Sequence, residues 1–464
     1  MKPPLSLLTL CLLLSACGSP APRPDSGLTP PATWQSPHSD NAARSNAQWW
    51  TQFGSPPLDR LIEQARVGSF DLTAAVARVR QAQAGTVIAG GSLLPEIKAT
   101  GNANRQKLLR GKGYSQLDAD SSNKAVDYFD ANLSASYEID FWGGKRASRD
   151  SAQFGLKASE FDQATVELTL LSGVANNYSK TLSLREQRRI AELNLANAQS
   201  VLKLVQTRFD SGSATALELA QQKSLVAAQQ RQLPTVQQQA DESLITLAAL
   251  LGRPVQELAP IDESFDHLQW PVIGAGVPSE LLSRRPDIAR AEAQLAAARA
   301  DVTVARAAML PALTLSANIG SGANSVGDIM RSPFYNLTAG LVAPIFNNGR
   351  LGAERDKATA RQEELLQAYR GAIINGFADV EKALNSIRGL DEQRQWQREE
   401  LSQAQTAFNI AQSRYQAGAE DLLTVLETQR TLYAAQDLNV QLKLSRLQAS
   451  IALYKALGGG WQAL

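Results

Sequence analysis

At 464 residues the chain is longer than one ordinary core supports, so several domains or an elongated fold are expected. Lys and Arg number 46 against 45 Asp and Glu, a net charge of +1, which leaves no basic footprint for nucleic acid. Two cysteines, Cys11 and Cys17, both fall in the first 17 residues, so the remainder forms no disulfide and no thiolate metal site.

The opening "MKPPLSLLTLCLLLSACGS" carries Lys2, then an apolar run from Leu5 to Leu14, then small residues before Cys17. The run is shorter than the roughly 20 residues a membrane helix needs, so residues 1–16 read as a secretory signal. Cys17 is either a chance thiol beside an ordinary cleavage site or a lipidation site. "LSAC" resembles a bacterial lipobox, with Cys17 becoming the acylated first residue. Gly18 in place of Asp resembles the signal for sorting to the outer membrane. Residues 17–50 are expected to form a lipidated tether, rich in Pro, Ser and Gly as far as Ser45.

The body of the chain is written twice. "TRFDSGSATALELAQQK" at 207–223 returns as "SRYQAGAEDLLTVLETQ" at 413–429, which pairs Arg208 with Arg414 and Gly212 with Gly418 at a spacing of 206. The same spacing aligns Glu186-Gln187-Arg188 with Glu392-Gln393-Arg394 and Leu251-Gly252 with Leu457-Gly458. A spacing of 216 aligns Leu94-Pro95 with Leu310-Pro311 and Asp71-Leu72 with Asp287-Ile288. Gly, Pro and Arg matching in register over most of the chain is more than Gln/Ala-rich helices share by chance. The first repeat spans 51–252, a Pro-containing linker 253–278, the second repeat 279–458, and a tail 459–464.

Each repeat has one plan. A helix (56–90; 279–308) precedes two strands (93–105 and 128–141; 311–320 and 335–346). A proline-free helix of some 60 residues follows (147–209; 351–415), then a turn and a second long helix (216–250; 422–457). Pro234 is expected to kink the first of these second helices. Gly212 and Gly418 sit where helices end, because glycine adopts the left-handed cap without a Cβ clash. Thr215 with Glu218 forms a capping box, and Asp421 is the equivalent N-cap. Taken alone, this chemistry describes a simple turnaround between antiparallel helices.

The strands alternate. In 128–141 Phe129, Ala131, Leu133, Ala135, Tyr137, Ile139 and Phe141 are apolar and the residues between them polar; 97–105 and 313–319 repeat the pattern. The fourth strand is less clean, because Val342 breaks its polar face. Period-two alternation gives one wet and one dry face, which fits either an amphipathic sheet on helices or a transmembrane β-barrel. No spanning-helix segment follows the signal, so a membrane crossing must use strands. Four strands are too few to close a barrel, since barrels start near 8, and closure requires two or three copies.

Several motifs together carry a resemblance. They are "QWWTQFGSPPLDRLIEQA" (48–65), "YEIDFWGGKR" (137–146), "APIFNNGRL" (343–351), the two tips, and above all "LLSRRPDIARAEAQLAAARADVTVARAAMLPALTLSA" (281–317). The chain resembles the outer-membrane factor (TolC/OprM-like) family of tripartite efflux pumps, in its lipoprotein branch. "VGSFDL" (67–72) departs from it by lacking the usual Asn.

The resemblance implies a mixed α/β membrane protein, lipid-anchored and spanning the bacterial outer membrane. In it a homotrimer closes a 12-stranded β-barrel, four strands per chain, continuing as an α-helical coiled-coil tunnel through the periplasm. Junctions 143–146 and 347–350 fall at the barrel base, and loops 106–127 and 321–334 outside the cell. The implied partners are a periplasmic adaptor (membrane fusion) protein, an inner-membrane transporter and outer-membrane lipid, with no nucleic acid. By motif position Leu423, Glu427 and Thr424 fall at the periplasmic gate. Glu427 stands where Asp is more usual, and Thr424 where some members are acidic; Glu427 is otherwise a surface helix charge. Arg208, Gly212, Arg414 and Gly418 match the adaptor-contacting tips.

His38 and His267 are the only histidines, and there is no Ser-His-Asp set, phosphate loop or Gly-x-Ser-x-Gly, so no enzyme activity, cofactor or metal is expected. The function expected is passive efflux conduction. A type I secretion duct shares the fold, and a periplasmic coiled-coil scaffold lipoprotein is the structural rival.

Overall fold

The structure, a computed structural model, describes residues 26–36, 47–107, 125–271 and 273–461. The signal, Cys17, most of the first strand connection and the last three residues lie outside the described residues. In chain order the elements are α1 (Pro56–Gly68), α2 (Phe70–Gly91), β1 (Glu96–Gln106), β2 (Val126–Ile139), α3 (Gly144–Asp210) and α4 (Ala216–Leu250), then α5 (Leu281–Arg284), α6 (Pro286–Ala307), β3 (Ala312–Ala323), β4 (Pro333–Val342), α7 (Arg350–Gln416) and α8 (Leu422–Ala456).

The two copies match in length. α3 and α7 have 67 residues each, α4 and α8 35, and α2 and α6 22. At 1.5 Å per residue the long helices run about 100 Å and their partners about 50 Å. Helix α3 packs on α4, α2, α6 and α8, while α7 packs on α8 and α6. The helix continues through Pro234 as one element.

The helices expected over 56–90 and 279–308 are each divided. Ser69 stays extended and its hydroxyl accepts from the Leu72 amide, capping α2. In the second copy Pro286 takes the first helical position and holds Arg285 out of the α region (φ −100°, ψ 119°). The fourth strand ends at Val342 rather than 346, because Pro344 cannot donate to a ladder.

The four strands form one antiparallel sheet in the order β1-β2-β3-β4, with both outer edges open. Its register turns four separate alternations into two faces. Ile97, Ala135, Ala317 and Leu337 lie on one line across the strands, and Ala99, Leu133, Ile319 and Tyr335 on another. Between them run Lys98, Ser134, Asn318 and Asn336 on the opposite face. The apolar face is uncovered: Ile319 is 59% exposed, Leu337 73% and Leu341 70%. Among the described residues no α-helix packs on it, only the short 3-10 turn Val326–Arg331 beside Ser321, so the alternative of an amphipathic sheet resting on its own long helices does not hold. Among the described residues no helix is long and apolar enough to cross a membrane.

The largest core sits at the waist of the long helices. Trp49 is fully buried and stacks on Tyr454 at 5.1 Å. The linker packs into this core through Phe265, Leu268 and Ile273, and Glu263 accepts from both Ser55 and Tyr178. The stretch read as a tether docks as well. Trp34 is buried with its indole N–H on Gly276 O at 2.8 Å, and the Gln35 and Ser36 amides donate to Glu381.

"RRPDI" closes the second copy. Arg285 is buried and binds Asp287 at 2.7 Å, Asp379 at 3.0 Å and the Ala456 carbonyl. Burial pushes the Asp287 carboxyl up, but the Arg285 guanidinium overrides it and holds the group below its usual range. Gly458 (φ +86°) presses on this corner: a Cβ there would lie 2.0 Å from Arg284 O. In the first copy Gly252 (φ +70°) meets Gly68 O in the same way. Gly212 (φ +77°) has open space around it. Gly212→Ala is therefore expected to cost only the left-handed backbone term, about 1–2 kcal/mol. Gly458→Ala adds a backbone collision and is expected to lower the thermal midpoint in detergent well beyond Gly212→Ala. Equal shifts would show that the corner yields.

Candidate functional site

The two turns end helices of equal length, 67 residues each. In each, a glycine at φ +77° follows the helix. The Ser213 amide donates to Arg208 O at 2.7 Å and the Gly212 amide to Phe209 O at 2.9 Å. In the second copy Ala419 donates to Arg414 O at 2.9 Å and Gly418 to Tyr415 O at 3.0 Å. Both are Schellman caps. Thr215 and Glu218 form the reciprocal capping box, while Asp421 accepts from the Thr424 amide at 2.9 Å. That amide and the Thr424 hydroxyl hold the Asp421 carboxyl below its usual range.

The two hairpins share one small core at the tip. Val201, Val205 and Leu219 of the first meet Phe408, Tyr415, Leu422 and Val425 of the second. The equivalent arginines then behave differently. Arg208 crosses between hairpins and stacks on the Tyr415 ring, its guanidinium carbon 4.4 Å from the centroid. Arg414 stays in its own turn, on Glu420 at 3.2 Å. Tyr415 is 1% exposed and its hydroxyl has no hydrogen-bond partner among the described residues. Farther along, Tyr433 donates to Asn194 O at 2.8 Å, again joining α8 to α3.

Leu423 and Glu427 lie on one outward face of α8, at the i and i+4 positions. Leu423 is 55% exposed, whereas Leu422, Val425 and Leu426 are buried. The Glu427 carboxylate has no ion pair or hydrogen bond among the described residues. Thr424 is half-buried, and its hydroxyl donates to Asp421 at 2.8 Å rather than facing out freely. In the first copy the same positions hold Leu217, also exposed, and Gln221. The acid is therefore present in one copy only. The structure brings Leu423, Glu427 and the four tip residues to one end of the molecule.

Nothing in the tip motif marks Tyr415 as the seat for Arg208; the only sequence signal is an aromatic after each tip arginine. Exposed aromatics also sit at the two ends of the sheet. Phe141, Trp142 and Phe346 lie at the helix end, with Trp142 donating to Pro311 O at 2.7 Å, and Tyr335 lies toward the other end. Aromatic girdles of this kind flank the lipid band of membrane barrels.

Comparison with known proteins agrees with this architecture. The family model described as "Outer membrane efflux protein" matches residues 61–253 and 277–459. The chain is 65% identical over 461 residues to the pyoverdine export outer membrane protein OpmQ of Pseudomonas aeruginosa, covering 99% of this chain and 97% of that one. It is 61% identical over 460 residues to OpmQ of Pseudomonas putida, covering 99% and 98%. Among solved structures, the outer-membrane channel OprN superposes with a TM-score of 0.88 at 26% identity, covering 96% of this chain and all of that one.

The tip contact has a clear test. Arg208→Ala removes the stacking on Tyr415, a loss of about 0.5–1 kcal/mol, and is expected to speed amide exchange at both hairpin tips. Tyr415→Phe keeps the ring and discards only an unpaired hydroxyl, so its exchange is expected to match wild type. Faster exchange in Tyr415→Phe but not in Arg208→Ala would reverse the assignment.

Proposed function

This chain belongs to the family of outer membrane efflux proteins, and from that premise we propose that three copies close one 12-stranded barrel through which pyoverdine leaves the cell. The chain is an outer-membrane efflux protein and not an enzyme. The observation that carries the reading is the open sheet with its uncovered apolar face. An open edge cannot stay unpaired in lipid, so β4 of one copy pairs with β1 of the next until the sheet closes. The polar face then lines a wet lumen, and α3, α4, α7 and α8 of the three copies continue it as a 12-helix tunnel.

In this reading residues 1–16 are removed, Cys17 carries the lipid, and 51–252 and 279–458 are the two repeats around linker 253–278. The channel conducts passively, with a periplasmic adaptor seated at Arg208, Gly212, Arg414 and Gly418 and an inner-membrane transporter supplying the energy. Pyoverdine as cargo is supported by two relatives above 60% identity being pyoverdine export proteins, which also favours it over a protein cargo.

The gate is the exposed Leu423–Glu427 face. Three Glu427 carboxylates around the axis repel one another and favour cations. Glu427→Gln in planar bilayers is expected to lower cation preference and raise conductance; unchanged selectivity and conductance would remove Glu427 from the gate. For the cargo, deleting the gene is expected to trap pyoverdine inside the cell, with secretion restored by the wild-type chain. Normal secretion in the deletion strain would sink the cargo assignment while leaving the channel intact.

A further inference from the structure

The apolar face of the sheet is not evenly filled. A shallow hollow of about 470 Å³ is framed by Ala135, Tyr137, Leu315, Ala317, Leu337 and Ala339. Its cause is the register. Ala135 stands directly opposite Ala317, and Leu315 opposite Ala339, so small side chains gather on adjacent lines between larger ones. The hollow lies in the helix-side half of the sheet, where β1 begins at Glu96 and β2 ends at Ile139. It faces the same way as Ile97 and Ile319 and so opens toward lipid.

The chain outside the described residues ends within reach of it. The Ser26 carbonyl accepts from Arg370 at 2.7 Å, and Gln35 is held at Glu381, so this strap runs away from the sheet and its N-terminal end points toward it. Arg370 is 20 residues into α7, which begins at Arg350, so Ser26 lies about 30 Å below the barrel base. Cys17 precedes Ser26 by nine residues, a span of at most about 30–32 Å. A fully extended chain would bring Cys17 at most to the level of the barrel base, and from there an acyl chain would continue upward into the half of the sheet that holds the hollow.

We propose that an acyl chain of the Cys17 lipid lies in this hollow, which makes it a seat for the protein's own anchor; this rests on the lipoprotein reading given above. Burial as such does not select the occupant, because lipid tails are as apolar as the side chains around them. Two things do. A void forfeits contacts along its walls until something fills it. A chain tethered nearby is present at far higher effective concentration than any single free lipid. The seated lipid holds the strap against α7 and ties the waist of the tunnel to the barrel wall.

The test uses the full chain in its native membrane. Cells are fed a diazirine-bearing palmitate, irradiated, and the purified protein is digested for mass spectrometry. The expected product joins the acylated Cys17 peptide to a peptide containing residues 133–139 or 313–319. Ala317→Trp fills the hollow and is expected to abolish that product while leaving fatty acid on Cys17 and the heat stability of the trimer unchanged. An acylated Cys17 that couples only to phospholipid, or evenly around the barrel, overturns the seat and leaves the anchor. Phospholipid adducts in the hollow, in place of the Cys17 peptide, do the same. Absence of fatty acid on Cys17 overturns the anchor reading and the seat together.

Discussion

The whole molecule depends on a sheet that is unfinished. Backbone groups at the edges of β1 and β4 need partners, and in hydrocarbon no water supplies them. An apolar face as continuous as the lines through Ile97 and Leu133 has no α-helix to rest on among the described residues, so lipid must cover it. These two demands meet only when the sheet closes with copies of itself. The long helices, which cover no sheet, are then free to serve as a conduit rather than as the outer layer of a soluble fold.

Duplication provides the symmetry, and small departures from it provide the chemistry. Gly252 against Gly68 and Gly458 against Arg284 are the same corner built twice, a left-handed glycine pressed on the carbonyl at the end of the preceding helix. Only the second copy places a buried guanidinium beside that corner, where Arg285 gathers Asp287, Asp379 and the last carbonyl of α8. At the tips the turns are alike, yet Arg208 reaches across to the other hairpin and Arg414 does not. Glu427 has Gln221 as its counterpart, so in the proposed trimer the acid would recur three times around six hairpins rather than six.

Much of this was legible because it rests on local rules. The glycine caps, the capping box at Thr215 and the period-two strands are set by near neighbours; the caps fall where expected and the strand ends within about four residues. What was not legible depends on distant partners. Ser69 and Pro286 break helices that periodicity alone would join. Residues 26–36 look like spacer by composition, but Trp34 finds Gly276 and Phe377, more than 240 residues away in the chain. The role of Tyr415 is equally hidden, since nothing near it shows that Arg208 arrives from the other hairpin. The site is therefore readable as a position on the helix face, whereas the contacts that hold it there are not.

Helix length is itself a functional quantity in such a design. With a rise of 1.5 Å and 3.6 residues per turn, one residue added to α3 alone would lower its tip by about 1.5 Å and rotate it by about 100°. The tip core would then no longer bring Val205 to Tyr415, and Arg208 would leave the ring it covers. The 67-residue length shared by α3 and α7 follows from this, since both helices start at a barrel junction and must end in register at one rim. In the proposed trimer Leu423 and Glu427 would face a common axis only while that count holds. The proposed gate is thus positioned by arithmetic along a helix of about 100 Å.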